Sequence, residues 1–188
     1  MNDQTALVLI DVQEGFNDPV WGKRNNSQFE QKVSQLLDHW RVIRNPVIHV
    51  QHLSIENNSP LRADCKGSRF MSFVAPSSGE AIVTKNVNSA FIGTELEKCL
   101  RKVHVKNLVL AGLTTDHCVS TSARMARNLG FHVVVASDAT ATFDRTLPGD
   151  VKFDADLVHR VSLASLNNEF ASILSIQEIV QFHRGYHR

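Results

Sequence analysis

Five short apolar runs, rich in β-branched residues and set between stretches of helical periodicity, limit what this chain can fold into. They are ALVLID (6–11), NPVIHVQ (45–51), AIVTK (81–85), NLVLAG (107–112) and FHVVVASD (131–138). Runs of this length and composition suit strands buried on both faces, and ASILS (171–175) is a sixth candidate. Between them, Phe29, Val33, Leu36, Leu37, Trp40 and Ile43 recur at helical spacing behind Ser27 and Glu30, which read as a capping box. Asn45-Pro46 ends that helix. Thr94 with Glu97 reads as a second box, opening a helix that carries Leu96, Leu100 and Val103. Val119, Ser122, Ala123 and Ala126 form one face of a third helix, closed by Gly130 as a left-handed cap. Strands alternating with helices predict an α/β fold in three α/β/α layers, Rossmann-like, with a parallel sheet between the helices.

The chain has 188 residues, of which 43% are hydrophobic, and no Gly/Ser-rich or Pro-rich linker divides it. A single domain over residues 1–188 is expected. The stretch from Leu53 to Gly79 has weak periodicity and reads as a long surface connection of the kind that walls pockets. Formal net charge is +1, from 20 Lys+Arg against 19 Asp+Glu, which gives no global pull toward nucleic acid or an anionic membrane. MNDQTALVLIDVQ has neither a basic leader nor an apolar run long enough to span a bilayer, so a cytoplasmic protein is expected. Cys65, Cys99 and Cys118 are too irregularly placed for a disulfide framework or a zinc ribbon, and reduced thiols are expected. The basic tail HRGYHR reads as a solvated end.

In a parallel sheet every strand that runs into a helix ends at the same edge, where ligands bind. Asp11, Lys85 and the segment before Cys118 all finish there. Taken alone, Asp11 is a turn or helix-cap residue, Lys85 a solvated strand end and Cys118 a small buried hydrophobe. Together they make a reactive set. A thiol becomes a nucleophile when it loses its proton, and a helix start beside an ammonium favours the thiolate. Asp11 can take the thiol proton and return it to a leaving amine, while amides around Thr114 and Cys118 are candidate donors to an oxyanion.

The segments LVLIDVQEGF, VTKNVNSAFIGTELEKCL, LVLAGLTTDHCVSTSARMARNLGF and VVVASDATATF resemble the successive signatures of the isochorismatase-like cysteine hydrolases, over about Ala6 to Phe143. The resemblance implies a six-stranded parallel sheet in the order 3-2-1-4-5-6 and a homodimer or higher homo-oligomer. It implies Asp11 as general base, Lys85 as catalytic lysine and Cys118 as nucleophile. It also implies a cis peptide between Leu113 and Thr114, with the Thr114 and Cys118 amides on the oxyanion. Gln13, Phe16, Phe91, Leu113 and His117 are the implied pocket residues; the bland alternatives are turn packing for Gln13 and Phe16, core packing for Phe91 and an exposed first turn for His117.

Nicotinamidases of that family hold a metal through an Asp-x-His and a following His after the second strand. Here the region reads HVQHLSIENNSPLRADC, where His49 and His52, three apart on an extended segment, face opposite ways. His49 reads as a strand residue and His52 as a candidate pocket residue; no metal and no other cofactor is expected. The resemblance is therefore to the small metal-free amidases: C–N hydrolysis of a small-molecule amide through a thioester, with no nucleic acid or membrane partner. The alternatives are a vinyl-ether or ester hydrolase that forms no covalent adduct, and a non-catalytic binding protein on the same fold. Cys99 reads as partly buried and inert, and Cys65 as incidental.

Overall fold

Alternate residues of the first strand, β1 (Thr5–Ile10), serve two different cores. Ala6, Val8 and Ile10 pack on one face of the sheet, Leu7 and Leu9 on the other. This is what a central strand covered on both sides requires. The computed structural model describes residues 4–185. β1 is followed by α1 (Phe29–Val42), β2 (Val47–His52), β3 (Ala81–Lys85) and α2 (Leu96–Lys102). Then come β4 (Asn107–Leu113), α3 (Ser120–Asn128), β5 (His132–Ala141), β6 (Arg145–Leu147) and β7 (Val151–Phe153). The chain continues through α4 (Ala155–Leu166), β8 (Ser172–Leu174) and α5 (Ile176–Gly185). The sheet order is β3-β2-β1-β4-β5-β8, every pairing parallel. β8 takes the place of the expected sixth strand, since the antiparallel hairpin β6–β7 is inserted before it. That hairpin is absent from the sequence reading above, although Pro148-Gly149-Asp150 is a turn signal and both Gly149 and Asp150 have positive φ. No described helix is long and apolar enough to cross a membrane. Of the tail HRGYHR, residues 183–185 continue α5 and 186–188 lie outside the described residues.

The helices divide between the two faces. Phe29, Val33, Leu36, Leu37 and Trp40 of α1 are fully buried against Leu7, Leu9, Val109 and Ala111, with Ile176 and Ile179 of α5 beside them. Leu96 and Leu100 of α2, Ala123 and Ala126 of α3, and Leu163 and Leu166 of α4 fill the opposite face. Each fully buried Leu or Phe contributes about 2 kcal/mol, so helical periodicity suffices to seat each helix. Neither expected capping box forms. Gln28 stands at the α1 N-cap without a side-chain cap, and Glu30 is drawn instead to Arg24. At α2 the N-cap is Glu95; Thr94 Oγ1 accepts from the Leu96 amide at 3.3 Å, while Glu97 pairs with Arg101. Gly130 has the expected left-handed φ, at 86°.

One glycine shapes the sheet edge where the strands end. Gly112, at φ 123°, lies opposite Ile10, and a Cβ there would meet the Ile10 carbonyl oxygen at 2.0 Å. Its backbone can therefore press against the end of β1 where no other residue's could. The pairing of β4 with β5 shifts register at the same point, between Leu110 and Gly112. The 53–79 connection is irregular, with short turns at Lys66–Ser68 and Ser72–Val74; it does not stay on the surface as expected, since Leu61, Met71 and Val74 enter the core shared with α1, and it is tied to the chain after β1 through the Gln13–Phe70 bridge.

Candidate active site

Asp11 follows the last residue of β1, and Lys85 and His52 are the last residues of β3 and β2. Cys118 lies five residues beyond β4, in a wide π-turn (Thr115–Val119) that runs directly into α3. Since β3, β2, β1 and β4 are adjacent and parallel, the four side chains meet at one edge. Asp11 has φ 53°, a left-handed conformation that Asp tolerates better than most residues, and its amide donates to Val50 O at 3.0 Å.

The Lys85 ammonium is the centre of the group. It donates to Asp11 Oδ2 at 2.7 Å, His52 Nδ1 at 2.9 Å and Cys118 Sγ at 3.3 Å. The side chains of Lys85 and Asp11 are wholly buried, and Cys118 is 7% exposed. Asp11 Oδ1 and Thr114 Oγ1 are buried and, among the described residues, have no hydrogen-bond partner of normal geometry. Buried polar atoms rarely go unpaired. The Leu113–Thr114 peptide is cis, as the resemblance implies. Asn88, on the exposed loop after β3, brings its carboxamide oxygen to 3.8 Å from the sulfur.

Burial works against the expected thiolate. Burial pushes the Cys118 thiol well above its ordinary range, the Asp11 charge pushes it further, and Lys85 only partly opposes them. Burial likewise raises the Asp11 carboxyl, against the pull of Lys85. Both shifts favour the protonated acid, and they make Asp11 a stronger base than a solvated carboxylate. His52 is lowered to about 4, first by burial and then by the Lys85 charge, so its imidazole is neutral at neutral pH.

Asp11, His52 and Cys118 each offer a ligand atom within 4.8 Å of the others, a set able to hold a metal ion. The Lys85 ammonium bonds to all three and already supplies the positive charge. His49, as expected, faces the other way: fully buried, it bonds Glu80 at 2.8 Å and packs edge-on to Phe70.

The implied pocket residues separate. Gln13 is fully buried and spends both ends of its amide on the protein, donating to His52 O and Ser68 O at 2.9 and 2.8 Å and accepting from the His52 amide at 2.7 Å. It clamps backbone, which corrects the expectation of a pocket wall. Phe91 is half-buried and packs against the core, its ring centroid 6.0 Å from that of Phe131, the contact that the core-packing alternative describes. Phe16 is 6% exposed, stacks with Phe143 and lies tilted against Trp21, and Leu113 is wholly buried at the end of β4. His117 is exposed and stands 3.4 Å from Asp116. Cys65 and Cys99 are free and half-buried.

Two groups escaped the sequence reading. His52 was weighed only as a pocket residue, yet the edge rule that selected Asp11 and Lys85 applies equally to the last residue of β2. The other is a brace on the turn that carries Cys118: Arg145 of β6 grips Asp116 with bonds of 2.7 and 3.1 Å, and Thr142 donates to the same carboxylate. Burial raises the Asp116 carboxyl, but these bonds outweigh it and hold it below its usual range. No local signal in the sequence joins residues this far apart.

The chain is similar to known proteins over nearly its whole length. The Isochorismatase domain profile matches residues 5–178. The isochorismatase family protein YrdC of Bacillus subtilis is 42% identical over 180 residues, 96% of each chain. Maleamate amidohydrolase of Pseudomonas putida is 30% identical over 127 residues, 68% of this chain and 51% of that one. A crystal structure of a hydrolase of the isochorismatase family from Chromobacterium violaceum superposes with a TM-score of 0.91 at 42% identity, covering 96% of this chain and 93% of the other. The profile spans nearly all the strands and helices that build the site, and the chain belongs to the isochorismatase family of hydrolases.

Proposed function

We propose that the protein hydrolyses a C–N bond of a small amide through a thioester on Cys118. The observation that carries this reading is the contact of one buried ammonium with both a carboxylate and a thiol, at 2.7 and 3.3 Å. Asp11 takes the proton from the Cys118 thiol as the sulfur attacks the substrate carbonyl carbon. The new C–S bond leaves a tetrahedral oxyanion, and in this reading the amides of Thr114 and Cys118 at the start of the helical segment donate to it. Asp11 then passes its proton to the nitrogen, the C–N bond breaks and ammonia or an amine departs. Water attacks the thioester, giving one proton to Asp11; the C–S bond breaks, the acid is released and the proton returns to sulfur. Lys85 keeps its charge throughout, stabilising whichever of sulfur and carboxylate is anionic. A resting thiol suits this cycle because the nucleophile is generated only when Asp11 accepts its proton. The similarity to an amidohydrolase supports the same class of substrate.

The test is ammonia release from a panel of small carboxamides and ureas, with mass spectrometry of the quenched enzyme. Cys118→Ala and Asp11→Asn should each lower kcat by about 10³-fold or more with the fold retained, and the wild type should carry an acyl adduct on Cys118. Full turnover in Cys118→Ala would remove the covalent step. Turnover that needs Asp11 and Lys85 but yields no adduct would favour a vinyl-ether or ester hydrolase.

A further inference from the structure

The amide-hydrolase reading leaves His52 without a task, although its ring touches the catalytic ammonium. An ammonium has three N–H donors and no acceptor, and here the three find three acceptors: Asp11 Oδ2, Cys118 Sγ and His52 Nδ1. We propose that His52 is a positioning residue that fixes the rotation of the Lys85 ammonium, so that its other two N–H groups point at the carboxylate and the nucleophile. The inference rests on the amide-hydrolase reading for what the arrangement achieves, but its geometry stands alone.

Since Lys85 can only donate, His52 Nδ1 must offer a lone pair, and the ring proton resides on Nε2. A backbone hydrogen bond at Val87 engages the ring as well, and the lowered pKa of about 4 keeps it a neutral acceptor. The backbone is held as firmly as the ring. His52 is the register partner of Lys85 across the β2–β3 ladder, and the Leu53 amide donates to Lys85 O at 2.8 Å. On the other side Gln13 both donates to the His52 carbonyl and accepts from its amide. A chain of direct contacts thus runs from the segment after β1, through Gln13 and His52, to the ammonium. Without the third acceptor the ammonium would be free to rotate or shift toward Asp11, its strongest partner, and the sulfur would lose its donor.

The test compares His52→Leu, which keeps bulk without an acceptor, with His52→Asn, whose carboxamide oxygen can accept near the place of Nδ1. Alkylation of Cys118 by iodoacetamide at pH 8, mapped by mass spectrometry, needs no substrate. A hydrogen bond to a charged group corresponds to about tenfold or more in rate, so alkylation in His52→Leu should slow by about that factor, and kcat should fall alike with KM within about twofold. His52→Asn should recover most of both. Alkylation and kcat in His52→Leu within twofold of wild type, or equal impairment of the Leu and Asn variants, would overturn the proposal. Should His52→Leu not fold, His52→Phe replaces it with the same two outcomes. Failure of the amide reading is seen separately, as unchanged turnover in Cys118→Ala.

Discussion

Lys85 shows how much of this site is decided by the surroundings of single atoms. It is the counter-ion of a carboxylate with no exposed surface, and taking away one partner of a buried pair costs about 3–5 kcal/mol. Lys85→Met should therefore destabilise the protein by that order, and the loss should depend on pH. With the ammonium gone, only the weaker hydrogen bond with Cys118 still opposes burial at Asp11, whose folded pKa rises further above its unfolded value. The folded state then holds a proton that the unfolded chain releases, so stability falls as pH rises through and beyond the carboxylate range. Urea unfolding of wild type and variant should show a wider gap at pH 8 than at pH 5; a gap independent of pH would mean that Asp11 is not the source. The identities of Asp11, Lys85 and Cys118 were legible because each stands at the end of a recognisable strand or the start of a helix. The state of the thiol was not. Helix start and ammonium are visible in sequence, whereas desolvation, which outweighs them, comes from neighbours that only the folded chain supplies.

At the scale of elements, strands proved more legible than the ends of helices. An apolar run must be buried somewhere, but a capping residue has competitors: Glu30 found Arg24, and Glu97 found Arg101. The link between α1 and the sheet illustrates what such side chains do once placed. Glu80, just before β3, receives bonds of 2.7 and 2.9 Å from Arg41 of α1, bonds His49 of β2 and accepts from the Ser77 amide. Arg41 above all holds its carboxyl down to about 2. A depressed carboxyl contributes stability above its unfolded pKa, and loses it as pH falls toward the folded value. Glu80→Gln should cost on the order of 2 kcal/mol at pH 7 and almost nothing at pH 2, read as the difference in denaturant midpoint between variant and wild type at each pH. A cost unchanged between the two would assign the effect to packing rather than charge.

In the whole molecule, protection should follow the layering. β1 and β4 occupy the middle of the six strands with helices over both faces, whereas β8 pairs with β5 at three positions and the β6–β7 hairpin pairs only with itself. Hydrogen exchange at neutral pH should be slowest in Leu7–Ile10 and Leu108–Ala111 and fastest in residues 145–153; a hairpin as protected as β1 would contradict this gradient. The sequence by itself determined the α/β class, the strands of the main sheet and the common edge at which Asp11, Lys85 and Cys118 finish, because apolar runs and parallel connections are local patterns with few ways to be satisfied. It did not determine what those groups touch. The bonds of Lys85 to Asp11, His52 and Cys118 join residues 74, 33 and 33 positions apart. The clamp by Gln13, the packing of Phe91 on the core and the upward shift of the thiol were likewise decided by tertiary structure. Burial and hydrogen-bond partnership are properties of neighbours in space, and for these residues the neighbours come from distant parts of the chain.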